Sequence, residues 1–318
     1  MHLIWLLLPA SAFAATIRPR QSSSPTFSLS PDEKDTIELL TYIRHITHNL
    51  FHTGCDAFNE GDWVTAGFSN ALPPNICRMA NQSDAHVDSL NGILTNNDVP
   101  RIEACTYTFV YSEPTSYVNL ANEVLMWSVS AYLGALPSLA SNPPLLTLIS
   151  SQLTILARYN GYLRGQYGAK PAPSLIDTPL PPAWSYNIAQ SYIRTCDNAL
   201  GYSVLPTLNV SDVPWKNNQA DPSPQEITIS YDPDTFWAPQ EDDATFYLAL
   251  VNQGYEPVMV GINETGREGS VVIASAVIPV EESTGVVYAA LTTFQGGMDV
   301  GNLTEFGTLA GPVEIVVS

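Results

Sequence analysis

The chain has 318 residues, with 31 acidic and 12 basic side chains and a formal charge of -19. That balance leaves no basic stripe to release counterions from phosphates, which excludes a nucleic-acid partner and an anionic membrane surface. An apolar content of 45% is enough for sizeable cores in one large or two ordinary domains, so disorder is not the expectation.

The first residues, MHLIWLLLPASAFA, read as a signal peptide over 1–14. A short apolar run from Leu3 to Leu8 precedes the break at Pro9, and Ala12 and Ala14 flank Phe13 as an A-x-A cleavage site. The run is too short to cross a bilayer, and no later stretch reaches the roughly 18 apolar residues a membrane helix needs. A secreted protein, extracellular or in the cell wall, is expected. Residues 15–31 are rich in Ser and Pro and predict a flexible lead-in.

From Asp32 the texture becomes helical. Residues 36 to 52 place Ile37, Leu40, Ile43, Thr47, Leu50 and Phe51 on one face, and Gly54 is the expected C-terminal cap. A second helix is predicted from Asn75 to Leu94, and a third, apolar nearly all round, from Ser116 to Leu136. A fourth starts at Pro143-Pro144 and runs through LLTLISSQLTILARYNGYLRGQ. Together they predict a four-helix bundle within residues 32–200, with a short helix near Asn187 to Arg194.

Residues 201–224 are expected to be a Pro-rich linker. Beyond Gln225 the period becomes two: ITISY, TFYLALV, PVMVGI, SVVIASAVIPV, GVVYAALTTF and VEIVV are strand-like runs separated by turn residues. A small antiparallel β-sandwich over 225–318 follows, and the whole reads as a two-domain α+β protein.

The even number of cysteines, in a chain expected to be exported, favours two disulfides. Of the three connectivities open to four cysteines, Cys55 with Cys77 and Cys105 with Cys196 is the favoured one, tying helix one to helix two and the turn before helix three to the segment after the bundle. Asn81, Asn209, Asn263 and Asn302 head glycosylation sequons.

The stretches SDAHVDSLNGIL, CTYTFVYSEPTSYVNLANEVLMWSVSAYLGALP and ILARYNGYLRGQYGAKPAPSLIDTPLPPAWSYNIAQSYIRTC, with GVVYAALT near the end, carry a resemblance. They resemble the secreted fungal ferritin-like family of Rds1-type stress-response, late-sexual-development and desiccation-related proteins, over about residues 36 to 200 and more weakly in the β tail. The resemblance implies a ferritin-like bundle. Metal-binding bundles of that type converge acids from two helices and a Glu-x-x-His pair from each of the other two.

Carried over residue by residue, that pattern fails here. The helix-one acid falls at Arg44 or Thr47, the helix-two pair at Ser83 and His86, and the helix-three acid at Leu125, with Glu123 about 200° out of phase. On helix four, Leu156 and Tyr159 replace Glu and His. Only His86 survives, so no metal and no cofactor is assigned.

Other constellations read as structure first. His45, His48 and His52 fall within about 60° of arc and could grip zinc or copper with Asp56 close by, yet they point nearly opposite the apolar face. A polar face toward solvent or the linker is the expectation. Asp56, Glu60 and Asp62 read as a solvated loop, and the RYNGYLRGQYG segment with Arg158 and Arg164 as packing against the DTPL loop or lining a pocket. His86 sits at the edge of its apolar stripe, where a bond to Tyr132 or Tyr159 is expected. No G-x-S-x-G, H-E-x-x-H, P-loop or dinucleotide motif is present.

The reading that follows is a secreted glycoprotein with a metal-free ferritin-like bundle, a non-catalytic cell-wall, development or stress-associated protein. The alternative is a cofactor-independent isomerase or cyclase acting on an apolar secondary metabolite. It would use the emptied bundle cavity beside Leu125 and Leu156, with His86 and Tyr159 as proton donors or acceptors.

Overall fold

The computed structural model describes residues 28–197, 200–211, 225–237, 240, 244–254, 256–279 and 284–317. The expected signal peptide over 1–14, positions 15–27 of the lead-in and positions 212–224 of the linker lie outside them. The helical half runs α1 (Pro31–Ala57), α2 (Glu60–Thr65), α3 (Leu72–Thr95), α4 (Pro114–Ala135), α5 (Pro143–Gln166) and α6 (Pro182–Gln190).

Local chemistry starts α1 where it does. The Ser30 hydroxyl accepts from the Glu33 amide and the Glu33 carboxylate accepts from the Ser30 amide at 2.8 Å, while Pro31 has no N–H to leave unsatisfied. The Ser30 amide also holds the Glu33 carboxyl below its usual range. Helices α1, α3, α4 and α5 form the bundle, with α1 packed on α3 and α4, and α4 on α5. The predicted stripe of α1 is buried, as is most of α4.

Three local expectations change. Gly54 does not end α1, which continues to Ala57. It is buried opposite Tyr117, and a Cβ there would fall 1.9 Å from that ring, so the missing side chain is what lets α4 approach α1. The acidic segment after α1 is not all loop: Asn59 and Asp62 cap each other's backbone to form α2, which buries Trp63. The short helix lies at Pro182–Gln190, started by its prolines, and gives way to strand β2 (Ile193–Thr195), which pairs with β1 (Thr106–Tyr107).

Both expected disulfides are present. Cys55–Cys77 joins α1 to α3, and Cys105–Cys196 joins the segments beside β1 and β2.

The second half is a seven-stranded antiparallel sheet in the order β3 (Leu208–Ser211), β4 (Gln225–Tyr231), β7 (Val271–Ile278), β6 (Val258–Glu268), β5 (Tyr247–Val251), β8 (Gly285–Thr292), β9 (Ala310–Val317). The region expected to be linker therefore already contributes its first strand. The sheet curls until its edges approach, the Gly311 amide donating to the Pro206 carbonyl at 2.8 Å, so the expected antiparallel sandwich takes a near-barrel form. Its interior holds Ile227, Ile229, Leu248, Val287, Leu291 and Ile315.

The period of two divides β8 between two cores. Val287, Ala289 and Leu291 fill the barrel, whereas Val286, Tyr288 and Ala290 join the core of the bundle. A strand buried on both faces needs an unbroken apolar run, which is what GVVYAAL supplies. The DTPL segment fastens the seam: the Leu180 amide donates to the Ser130 carbonyl at 3.0 Å and the Thr178 hydroxyl to the Val286 carbonyl at 3.2 Å.

Candidate functional site

The centre of the bundle is where a ferritin-like metal site would lie. Leu125 and Leu156 are fully buried, and so is Arg44. The Arg44 guanidinium meets the His86 ring at Nδ1, while its Nε and Nη1 have no hydrogen-bond partner. Burial pushes its pKa down, opposed by the nearby Tyr132 and Tyr159. Burial in turn pushes the Tyr132 phenol up to about 12.

These residues do not fit a di-iron centre. A cluster of cations requires several anionic oxygens converging on it, and here a buried guanidinium stands on α1 with leucines on α4 and α5. The sequence reading pairs His86 with Tyr132 or Tyr159, whereas its partner is Arg44. Tyr132 donates instead to Gln152 at 3.2 Å, and Tyr159 to Gln82. His86 and Tyr159 thus lie in one region but are not bonded to each other.

The histidine stripe departs further from expectation. His45 is buried, with Nε2 donating to the Ile102 carbonyl at 2.8 Å. His48 and His52 lean on α3, where Asp84 Oδ1 accepts from their Nε2 atoms at 2.7 and 2.8 Å. The carboxylate beside them is Asp84, not Asp56. Burial keeps His45 and His48 below the usual imidazole range. The register of α1 against α3 makes this juxtaposition, and a single helix wheel carries no information about it.

A ligand-sized space lies away from these residues. A cavity of about 810 Å³ lies along the seam between bundle and sheet, lined among others by Asn122, Glu123, Arg164, Tyr167, Tyr192 and Glu314. Leu125, Leu156, His86 and Tyr159 do not line it. Glu123, out of phase for a bundle centre, faces this seam instead. Arg164 donates through Nε to the Lys170 carbonyl at 2.7 Å and leaves Nη2 buried without a partner.

Glu314 comes from β9, on the face opposite the inward Ile315. Both its carboxyl oxygens are buried without a hydrogen-bond partner, though the residue as a whole stays partly accessible. Burial, reinforced by Glu123, holds its pKa well above the usual carboxylate range. Tyr192 is pushed up by burial and then by both acids. The signal for Glu314 was present as the one charge inside VEIVV, but only the pairing of β8 with β9 turns it toward the bundle.

Comparison with known proteins agrees with this architecture. Residues 33–169 match the family described as Ferritin-like domain. Over 255 residues the chain is 27% identical to protein rds1 of Schizosaccharomyces pombe (strain 972 / ATCC 24843), which covers 79% of this chain. The chain spans 62% of that protein's length.

Proposed function

Because the chain is an Rds1-like homologue with a ferritin-like domain, we propose that it is a secreted glycoprotein whose bundle carries no metal at its centre. Its role is non-catalytic, in the cell wall, in development or in stress. The single observation behind this reading is Arg44: a permanent cation buried where a metal cage needs anions.

Export is supported by the two disulfides. Glycosylation is supported by Asn81, Asn209, Asn263 and Asn302, all of which are exposed. No described helix is long and apolar enough to cross a membrane. Elemental analysis of protein recovered from culture medium tests the central point. Well below one iron per chain is expected, and about two, the load of a di-iron bundle, overturns the reading. Endoglycosidase treatment should lower the mass.

The alternative, a small-molecule partner handled without a cofactor, finds its support at the seam rather than beside His86 and Tyr159. A cavity of about 810 Å³ falls within the ordinary range for ligand pockets of about 300–1,000 Å³. Native mass spectrometry of the secreted protein should then show a retained organic adduct; bare protein throughout removes this reading.

A further inference from the structure

Away from both the bundle centre and the seam, three potential metal ligands converge. His48 and His52 are four residues apart, so they stand one above the other on the same face of α1. Asp84 projects from α3 between them, and its Oδ1 accepts from both Nε2 atoms at 2.7 and 2.8 Å. The three ligand atoms lie within 4.8 Å of one another. An ion with metal–ligand bonds of about 2.0–2.2 Å needs only small side-chain rotations to replace the two shared protons.

The donor set decides the class of ion. Two imidazole nitrogens and one carboxylate suit zinc or divalent copper, whereas calcium and magnesium favour all-oxygen sites. The exposure of the side chains, 27% for His48, 42% for His52 and 46% for Asp84, leaves room for water in the remaining positions.

The frame around the ligands is held in register. Helices α1 and α3 pack along their length, and the Cys55–Cys77 disulfide joins them less than one turn beyond His52. Such cross-linking limits how far the histidines can slide past Asp84, which reduces the ordering cost of binding. The other described histidines are engaged, His45 with the Ile102 carbonyl and His86 with Arg44.

We propose that His48, His52 and Asp84 form a mononuclear site for a borderline divalent transition-metal ion, with Zn²⁺ as its reference ligand. The ion clamps α1 to α3 from outside the core. It is independent of the bundle centre, so iron analysis and zinc binding report on separate claims.

Calorimetric titration of untagged secreted protein with Zn²⁺, in an excess of Ca²⁺ and Mg²⁺, tests the site. About one Zn²⁺ per chain is expected, with a rise in Tm on binding. Both His52→Ala and Asp84→Asn should weaken binding by about tenfold or more. Because both residues are substantially exposed, the apo variants should keep the wild-type circular dichroism. His86→Gln should leave zinc binding unchanged. Absence of Zn²⁺ binding by wild type, full displacement by Ca²⁺, or wild-type affinity in both variants overturns the proposal.

Discussion

The bundle centre and the seam bury charge in opposite ways. At the centre Arg44 is fully enclosed, and none of the described ion pairs includes it. At the seam, Arg164 and the Glu314 carboxyl border a cavity of about 810 Å³. The difference is one of surroundings: the centre encloses its cation on all sides, whereas the seam opens onto space beside its charges. Leu125, Leu156 and Arg44 are buried in the bundle interior, and a cavity able to receive a molecule lies where helix packing meets the outer face of the sheet.

The comparison depends first on the seam being held together. Gly134 lies under the DTPL segment, and a Cβ there would fall 1.9 Å from the Leu180 carbonyl oxygen. Backbone on both sides cannot yield as a flexible side chain would. Gly134→Val is therefore expected to lose about 3 kcal/mol in denaturant unfolding, and an unchanged midpoint would show that this contact does not clamp the two halves.

Arg44→Met sharpens the other side. Exchanging a buried charge for an apolar side chain of similar length should raise stability by about 1–4 kcal/mol. A loss of that size would mean that the guanidinium has a counter-charge.

The smallest effect is a slope rather than a step. Burial holds the Glu314 carboxyl in the folded state well above the ordinary carboxylate value of 4.5. Above that value the unfolded chain has released the proton while the folded chain retains it. Unfolding then releases a proton, and stability falls as pH rises, by at most about 1.4 kcal/mol per pH unit, until the folded-state pKa is passed. Below 4.5 both states are protonated and the slope vanishes. Glu314→Gln should flatten this dependence in pH-resolved melts, and an unaltered profile would place the titration elsewhere.

Much of the architecture was legible in the residues. Apolar spacing at 3.6 located the four long helices, and alternation located six of the seven strands of the barrel. Of the three disulfide connectivities the sequence leaves open, the favoured one is present. Boundaries were harder. Gly54 looked like a cap because glycine usually ends a helix, whereas here it makes room for Tyr117. Strand β3 was hidden in Pro-rich sequence because four residues are too few to show a period.

By itself, the sequence determined the α+β division and the loss of the family's metal-ligand pattern, because each follows from residue type and local period. Only the tertiary structure decided where charge went. Arg44 found His86, Glu123 turned to the seam, Glu314 was drawn beneath the bundle, and His48 and His52 met Asp84. Each of these pairings joins residues far apart in the chain, so it depends on the register of one helix or strand against another. Composition and period specify which face an element buries, but not how far it slides along its neighbour.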